Sequence, residues 1–153
     1  MASINFFIQD IKFNLKNKNA LRRWLVATVK KEGYKIAALN YIFSSDKFLH
    51  QLNQQFLHHD SFTDIITFNL SSSTYDLQPT ISDSQRPNIS GEVFISIERV
   101  KENTTRFKTT FVEELHRVII HGVLHLIGYK DKTKSDKTKM REKENYYLNL
   151  RSF

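Results

Sequence analysis

The sequence contains no cysteine and few residues that interrupt regular structure. None of its 153 residues is cysteine, 4 are glycine and 2 are proline. Disulfides are therefore excluded, and any bound metal must be held by nitrogen and oxygen ligands. No segment approaches the roughly 18 consecutive apolar residues that a membrane-spanning helix needs. Because the opening MASINFFIQDIKF lacks a basic segment followed by a long apolar one, we expect a cytoplasmic protein without a signal peptide.

The charge is unbalanced toward lysine and arginine. These residues number 23 against 16 acidic residues, which gives a net charge of +7. A basic excess favours polyanionic partners such as nucleic acids, because each cation on a phosphate releases condensed counterions. Charge alone does not decide the matter, since many basic proteins bind no nucleic acid.

Hydrophobic periodicity predicts interleaved helices and strands. Strands are predicted at residues 4–9, 37–43, 63–70 and 91–98. Helices are predicted at residues 19–34, 44–57, 109–129 and 135–151. A long loop is predicted at residues 71–90, which hold both prolines and a cluster of serines. We therefore expect an α/β (α+β) protein in which one domain, residues 1–153, surrounds a mixed sheet of about four strands with helices.

The segment HGVLHLIGYKD, residues 121–131, carries the pattern of a metal site. His121 and His125 are four residues apart, so a helix presents both imidazoles on one face, as zinc-binding helices do. Gly128 can adopt a positive φ and end that helix, which lets Asp131 return toward the histidines. Three protein ligands leave a fourth position of a tetrahedral ion for water, the arrangement of a catalytic site.

A histidine pair at this spacing also arises by chance, so each histidine needs its own interpretation. His116 lies about 140° around the same helix from His121. We interpret His116 as a surface or helix-packing residue.

The spacing of the predicted ligands also matches metzincin proteases, whose pattern is H-E-x-x-H-x-x-G-x-x-H. Those enzymes place a glutamate directly after the first histidine as the general base, and this chain has Gly122 there. A peptidase without that carboxylate lacks its water-activating group. The sequence therefore argues against a metalloprotease.

Several ordered motifs resemble one known family. HGVLHLIGY is similar to the H-G-x-L-H-L-x-G-Y-D-H signature of the YbeY family of bacterial endoribonucleases. LNQQF at 52–56, TDIITF at 63–68 and GEVFIS at 91–96 resemble further blocks of that family in the same order. Met140 and Glu144 match its closing M-x-x-x-E pair, so the resemblance covers most of the chain.

The resemblance implies a zincin-like, metalloprotease-like fold with one Zn2+ per chain, another divalent ion being the alternative. It implies single-strand-specific cleavage of RNA, in maturation of the 3′ end of 16S ribosomal RNA and in late-stage ribosome quality control. The implied partners are ribosomal RNA and the small ribosomal subunit with its proteins. Carried over residue by residue, His121 and His125 are the first two metal ligands and the catalytic residues.

The chain departs from the family pattern at two positions. The family's third ligand is histidine, and Asp131 stands in that place. Its negative charge would make a bound water a weaker acid and broaden the choice of metal. Leu57 stands where the family has a cleft arginine, which either lowers the expected catalytic efficiency or gives the phosphate contact to another cation. His58, His59 and Arg106 are the candidates.

Two further interpretations stay open at this point. A run of lysines follows Gly128, where the chain turns back toward the histidines. We predict that Lys130, Lys132 and Lys134 face RNA, although charge runs are usually solvated surfaces. Thr63 and Asp64 match family positions, yet a Thr-Asp pair at the start of a strand is often turn chemistry. The alternative function is a ribosome-assembly RNA-binding protein with a structural metal and little catalysis.

Overall fold

The computed structural model describes residues 2–59, 61–71 and 86–153. The strands in these ranges are β1 (Ser3–Ile8), β2 (Lys35–Ser44), β3 (Ile65–Asn69) and β4 (Asn88–Ser96). The helices are α1 (Lys18–Lys31), α2 (Asp46–Leu57), α3 (Ile97–Arg106), α4 (Phe111–Ile127) and α5 (Lys134–Asn149). No helix in the described ranges has the length and apolar character needed to cross a bilayer.

The strands form one mixed sheet in the order β1-β2-β4-β3. β1 pairs with β2 and β2 pairs with β4 in parallel, while β3 runs antiparallel to β4. The predicted α+β class with a four-stranded mixed sheet is therefore confirmed.

Helices cover both faces of the sheet, as alternation along β4 requires. Phe94 points to one face, where its ring centroid lies 6.3 Å from that of Phe48 in α2. Val93 points to the other face and contacts α4 at Gly122. Tyr41, the register partner of Val93, donates a hydrogen bond from its hydroxyl to the carbonyl oxygen of Ile119 at 2.8 Å. This buried bond fixes α4 on the sheet.

Helix α4 has clear signals at both ends. The Oγ1 of Thr110 accepts a hydrogen bond from the backbone N–H of Glu113 at 3.1 Å, which caps the first turn. Gly128 ends the helix with φ of 119°, a conformation that L side chains rarely adopt. The helix predicted at 109–129 is confirmed, with the narrower bounds given above.

His116 is buried, at 4% exposure. Its ring lies 5.9 Å from that of Trp24 and 5.4 Å from that of Phe153. Burial, followed by the nearby charge of Arg151, lowers the pKa of His116 to about 4. The helix-packing interpretation of this histidine is therefore correct, and the surface alternative is wrong.

The region around β4 differs from prediction at both ends. The strand predicted at 91–98 ends at Ser96, and α3, which was not predicted, begins at Ile97. The Oγ of Ser96 accepts a hydrogen bond from the N–H of Arg99 at 3.1 Å and caps α3. The strand prediction ran too far because Ile97 continues the alternation of β4 while also being the first buried position of the helix. Residues 88–90, predicted as loop, belong to β4, and residues 72–85 of that predicted loop lie outside the described ranges.

Candidate metal centre and cleft

The three predicted ligands converge on one point. Nε2 of His121 and Nε2 of His125 each lie 3.4 Å from Oδ2 of Asp131. The ligand atoms all lie within 4.8 Å of one another. A tetrahedral ion with bonds of about 2.0–2.1 Å separates its ligand atoms by about 3.3 Å. The spacing in this group fits such an ion, so the group could hold a metal.

A short turn brings Asp131 back to the histidines. Gly128 reverses the chain, and the hydroxyl of Tyr129 then donates a hydrogen bond to Oε1 of Glu32 at 2.6 Å. Oε2 of Glu32 accepts a hydrogen bond from Nζ of Lys143 at 3.1 Å. Burial alone would raise the pKa of Glu32, but these hydrogen bonds lower it. The ionised carboxylate thus ties the turn to the end of α1 and to α5.

Glu144 on α5 contacts His121 at Nδ1, the ring nitrogen that does not face Asp131. Its Oε2 lies 2.6 Å from Nδ1 of His121, and its Oε1 accepts a hydrogen bond from Nη1 of Arg117 at 2.9 Å. A carboxylate on the second ring nitrogen of a histidine fixes the tautomer and ring orientation that metal binding needs. The sequence showed Glu144 only as a match to a family position, and the structure supplies its contact.

The electrostatics of the group favour a cation. Burial alone would lower the pKa of His121, yet hydrogen bonds to Asp131 and Glu144 raise it to about 9. The pKa of Asp131 is lowered to about 2, first by its hydrogen bond to His121. Burial, and then the charge of His121, lower the pKa of His125. The carboxylates therefore stabilise positive charge at this point, while a neutral His125 offers a lone pair.

The group opens on a cleft of about 540 Å³ that carries many charged side chains. We call His121, His125 and Asp131 the metal group. The other charged and aromatic residues of the cleft wall are Phe62, Asp64, Arg99, Arg106, Phe107, Glu114, Arg117, Arg141 and Glu144. Arg99 is held by Asp46 at 2.7 Å, and Arg117 by Glu144 at 2.9 Å. Arg106 is exposed and forms no ion pair with the described residues. It is therefore available for an anionic ligand.

The other residues predicted to contact RNA lie outside this cleft. Lys130 borders a separate depression that includes Glu32 and Tyr129. His59, Lys132 and Lys134 are exposed, and none of them lines the cleft. Of the predicted RNA-contacting residues, Arg106 is the one that shares the cleft with the metal group.

Leu57 lies at the end of α2, is 41% exposed and does not line the cleft. The side chain of Leu57 therefore forms no part of the cleft wall. His58, considered above as a substitute cation, does not line the cleft either.

Gly122 faces the sheet and not the cleft. A Cβ atom at this position would lie 2.7 Å from Cγ1 of Val93 and 3.1 Å from Cδ1 of Ile65. A glutamate here would therefore point into the packed interface between α4 and the strands. The geometry agrees with the sequence argument against a peptidase.

Several residues of the cleft were not singled out from the sequence. Glu114 and Arg117 lie seven and four residues before His121, so helical periodicity could have placed them on the same face of α4. Asn103 was missed because α3 was not predicted.

Thr63 and Asp64 have different roles at the entrance to β3. Oγ1 of Thr63 donates a hydrogen bond to the carbonyl oxygen of Ile65 at 3.2 Å, which is turn chemistry. Asp64 lines the cleft, and its Oδ2 accepts a hydrogen bond from Nδ2 of Asn103 at 3.2 Å. The turn interpretation therefore holds for Thr63, and Asp64 adds an acid to the cleft.

Comparison with known proteins gives one consistent result. The family model described as Endoribonuclease YbeY matches residues 3–151. The Endoribonuclease YbeY of Cytophaga hutchinsonii is 46% identical over 151 residues, which cover 99% of this chain and 97% of that protein. The Endoribonuclease YbeY of Amoebophilus asiaticus is 41% identical over 147 residues, covering 96% and 92%. The solution structure of a Thermotoga maritima protein is similar with a TM-score of 0.60 and 29% identity, covering 95% of this chain and 87% of that one.

Proposed function

The chain belongs to the YbeY endoribonuclease family, and from this membership we propose that it is a metal-dependent endoribonuclease that cuts single-stranded RNA. The proposed substrate is ribosomal RNA, in 16S rRNA 3′-end maturation and late-stage ribosome quality control. The small ribosomal subunit as partner and a cytoplasmic location belong to the same proposal. The observation that carries the proposal is a His-His-Asp group opening on a cleft that four arginines line.

We further propose that His121, His125 and Asp131 hold one Zn2+ per chain. The nitrogen and carboxylate donors fit zinc, and the carboxylate also admits harder divalent ions. When bound, such an ion supplies a Lewis acid and lowers the pKa of a water molecule.

The surrounding side chains prepare the site for that ion and for a phosphodiester. Glu144 accepts the Nδ1 proton of His121 and so turns Nε2 toward Asp131. Burial alone would raise the pKa of Glu144, but hydrogen bonds from His121 and Arg117 lower it and keep the carboxylate ionised. Arg106 can bind phosphate oxygens through two parallel N–H groups.

The alternative, an RNA-binding protein with a structural metal, has less support. A structural site is normally closed by four protein ligands. Within the described ranges, the group contains three side chains, and all three line the open cleft. An open three-ligand site favours catalysis.

Metal analysis and RNA cleavage of the purified protein test the proposal together. We expect about one equivalent of a divalent ion per chain, cleavage of a single-stranded oligonucleotide, and much slower cleavage of the same sequence in a duplex. EDTA should abolish cleavage, and zinc should restore it. Cleavage at the same rate after chelation, with no metal remaining in the protein, would contradict the proposal.

Arg106→Gln should slow cleavage by about 10-fold, because it removes a charged phosphate ligand from the cleft while leaving the metal group intact. Initial rates on single-stranded RNA provide the measurement. The control is Lys132→Gln with Lys134→Gln, which removes two exposed cations outside the cleft. If the lysines face RNA as predicted, this control flattens the log–log salt slope of binding by about one unit per lost contact, with little effect on the rate at saturating RNA. Equal rates for Arg106→Gln and the parent would remove Arg106 from the site.

Glu144→Gln should weaken zinc affinity by about 10–100-fold, because a neutral amide orients His121 less strongly than a carboxylate. Competition with a chromophoric chelator measures this affinity. Glu142→Gln, an exposed position on the same helix, is the matched control and should bind zinc like the parent. Unchanged affinity in Glu144→Gln would show that the contact of Glu144 with His121 does not support metal binding.

A further inference from the structure

Glu114 is a buried acid without a donor. It is 6% exposed and lines the cleft. No hydrogen bond or ion pair joins its carboxylate to the described residues. Burial, and then the charge of Asp64, raise the pKa of Glu114. Its carboxylate oxygens are not among the enclosed, unpartnered atoms of the described residues, so they are accessible from the cleft, where a ligand can supply a hydrogen-bond donor.

The position of Glu114 separates it from the metal chemistry. It lies seven residues before His121 on α4, which is about 10 Å along the helix axis and on the same face. At that distance a group bound by Glu114 belongs to a nucleotide beside the one whose phosphate lies at the metal group.

An exposed aromatic ring borders the same cleft. Phe107 is 51% exposed and lines the cleft next to Arg106, whose guanidinium carbon lies 5.4 Å from the ring centroid. Unpaired bases stack on aromatic rings and on guanidinium planes in proteins that bind single-stranded RNA. The ring and the cation thus offer a platform for a base and a contact for its phosphate.

We propose that Glu114, Phe107 and Arg106 form a subsite for an unpaired guanine next to the scissile phosphate. This inference rests on the proposed nuclease function and adds base selectivity to it. A carboxylate offers two acceptor oxygens and no donor. The Watson–Crick edge of guanine offers two adjacent N–H donors, at N1 and N2. Adenine, cytosine and uracil each place an acceptor beside their donor, which would face a carboxylate oxygen.

The subsite also gives a physical reason for a single-strand preference. In a base pair the Watson–Crick edge of guanine is already hydrogen-bonded to cytosine. Guanine in a duplex therefore cannot donate hydrogen bonds from this edge to the carboxylate of Glu114. Stacking on Phe107 likewise requires a base that has left its neighbours.

The test compares short single-stranded RNAs that differ at one position in a uridine run, where guanosine, inosine, adenosine, cytidine or uridine is placed. Fluorescence anisotropy with the zinc-loaded protein gives affinities, and the cut position and initial rate are read on the same oligonucleotides. We expect guanosine to be preferred over uridine by about 10-fold. Inosine, which lacks the 2-amino group, should fall between them.

Two variants assign the preference to side chains. Glu114→Gln should reduce the preference for guanosine to below about twofold, since an amide presents one donor and one acceptor. Glu113→Gln, the neighbouring acid that pairs with Arg151 outside the cleft, should retain it. Phe107→Leu should weaken binding of every base similarly, whereas Phe56→Leu, at an exposed phenylalanine away from the cleft, should not.

The outcomes separate this inference from the proposed function. Parent protein that binds and cuts guanosine and uridine oligonucleotides equally would overturn the subsite, as would Glu114→Gln with full preference. Protein that prefers guanosine in binding but cuts no RNA would overturn the nuclease and leave the subsite supported. Protein that binds none of the RNAs would overturn both. If circular dichroism shows that Glu114→Gln is unfolded, the inosine result decides, because equal affinity for inosine and guanosine excludes a two-donor contact.

Discussion

His125→Ala should bind single-stranded RNA as the parent does and should no longer cut it. The substitution removes one of three proposed ligands. The cleavage rate should therefore fall by more than about 100-fold, which is the largest effect expected when a residue that only orients a ligand is lost. RNA affinity should persist because it rests on distributed lysine and arginine charge. Cleavage assays, zinc analysis and anisotropy on one preparation measure all three quantities.

His58→Asn is the matched control for His125→Ala. His58 lies outside the cleft in a left-handed conformation that asparagine tolerates, so this protein should cut RNA at the parental rate. Thermal unfolding separates an enzyme from a scaffold. If the metal were a structural ion, His125→Ala would lower the melting temperature strongly, because such an ion contributes folding energy directly. Parental cleavage by zinc-free His125→Ala would place the nuclease activity elsewhere.

Gly122→Glu should unfold the protein or destabilise it by more than about 4 kcal/mol. The substitution creates the H-E-x-x-H pattern of a metalloprotease, but the new side chain would enter the interface with Val93 and Ile65. Burying an unpaired carboxylate there adds to the steric clash. Urea unfolding and a peptidase assay on any folded fraction test this expectation, and we expect no peptidase activity.

Two milder substitutions calibrate that effect. Gly122→Ala should cost about 1–3 kcal/mol through overpacking, partly offset by about 1 kcal/mol of helix propensity. Val112→Glu places the same charge at an exposed position in the first turn of α4 and should change stability by less than about 0.5 kcal/mol. A Gly122→Glu protein as stable as the parent would mean that α4 does not pack on the sheet through Gly122.

The convergence of the metal group could be anticipated because its geometry is local. Two histidines one helical turn apart and a glycine that reverses the chain fix most of the arrangement within 11 residues of sequence. The strands and helices outside residues 97–108 were also recognisable from periodicity, because each buries one face. Their order in the sheet was not, since strand pairing depends on contacts between distant segments.

The rest of the cleft depends on such distant contacts. Glu144 contacts His121 from a separate helix, α5. The spacing of these two residues along the chain does not predict that contact. Helix α3 supplies Asn103 and Arg99 to the cleft wall. This helix was not predicted, because Ile97 fits both the alternation of strand β4 and the first buried position of a helix. Lys130 follows the turn after α4 closely in sequence, yet the turn directs it toward a different surface. Proximity along the chain was therefore a poor guide to which cations share the cleft.

The contact between Glu144 and His121 has a consequence for the order in which the protein is made. Synthesis proceeds from the N-terminus, so both histidines and Asp131 leave the peptidyl-transferase centre before any of α5 exists. Until α5 is complete and docked, His121 lacks the carboxylate on its Nδ1, and Glu32 lacks Lys143. A nascent chain that ends near residue 133 therefore contains every proposed ligand without their support. We therefore expect the proposed metal site to reach its full affinity for zinc only after α5 has docked.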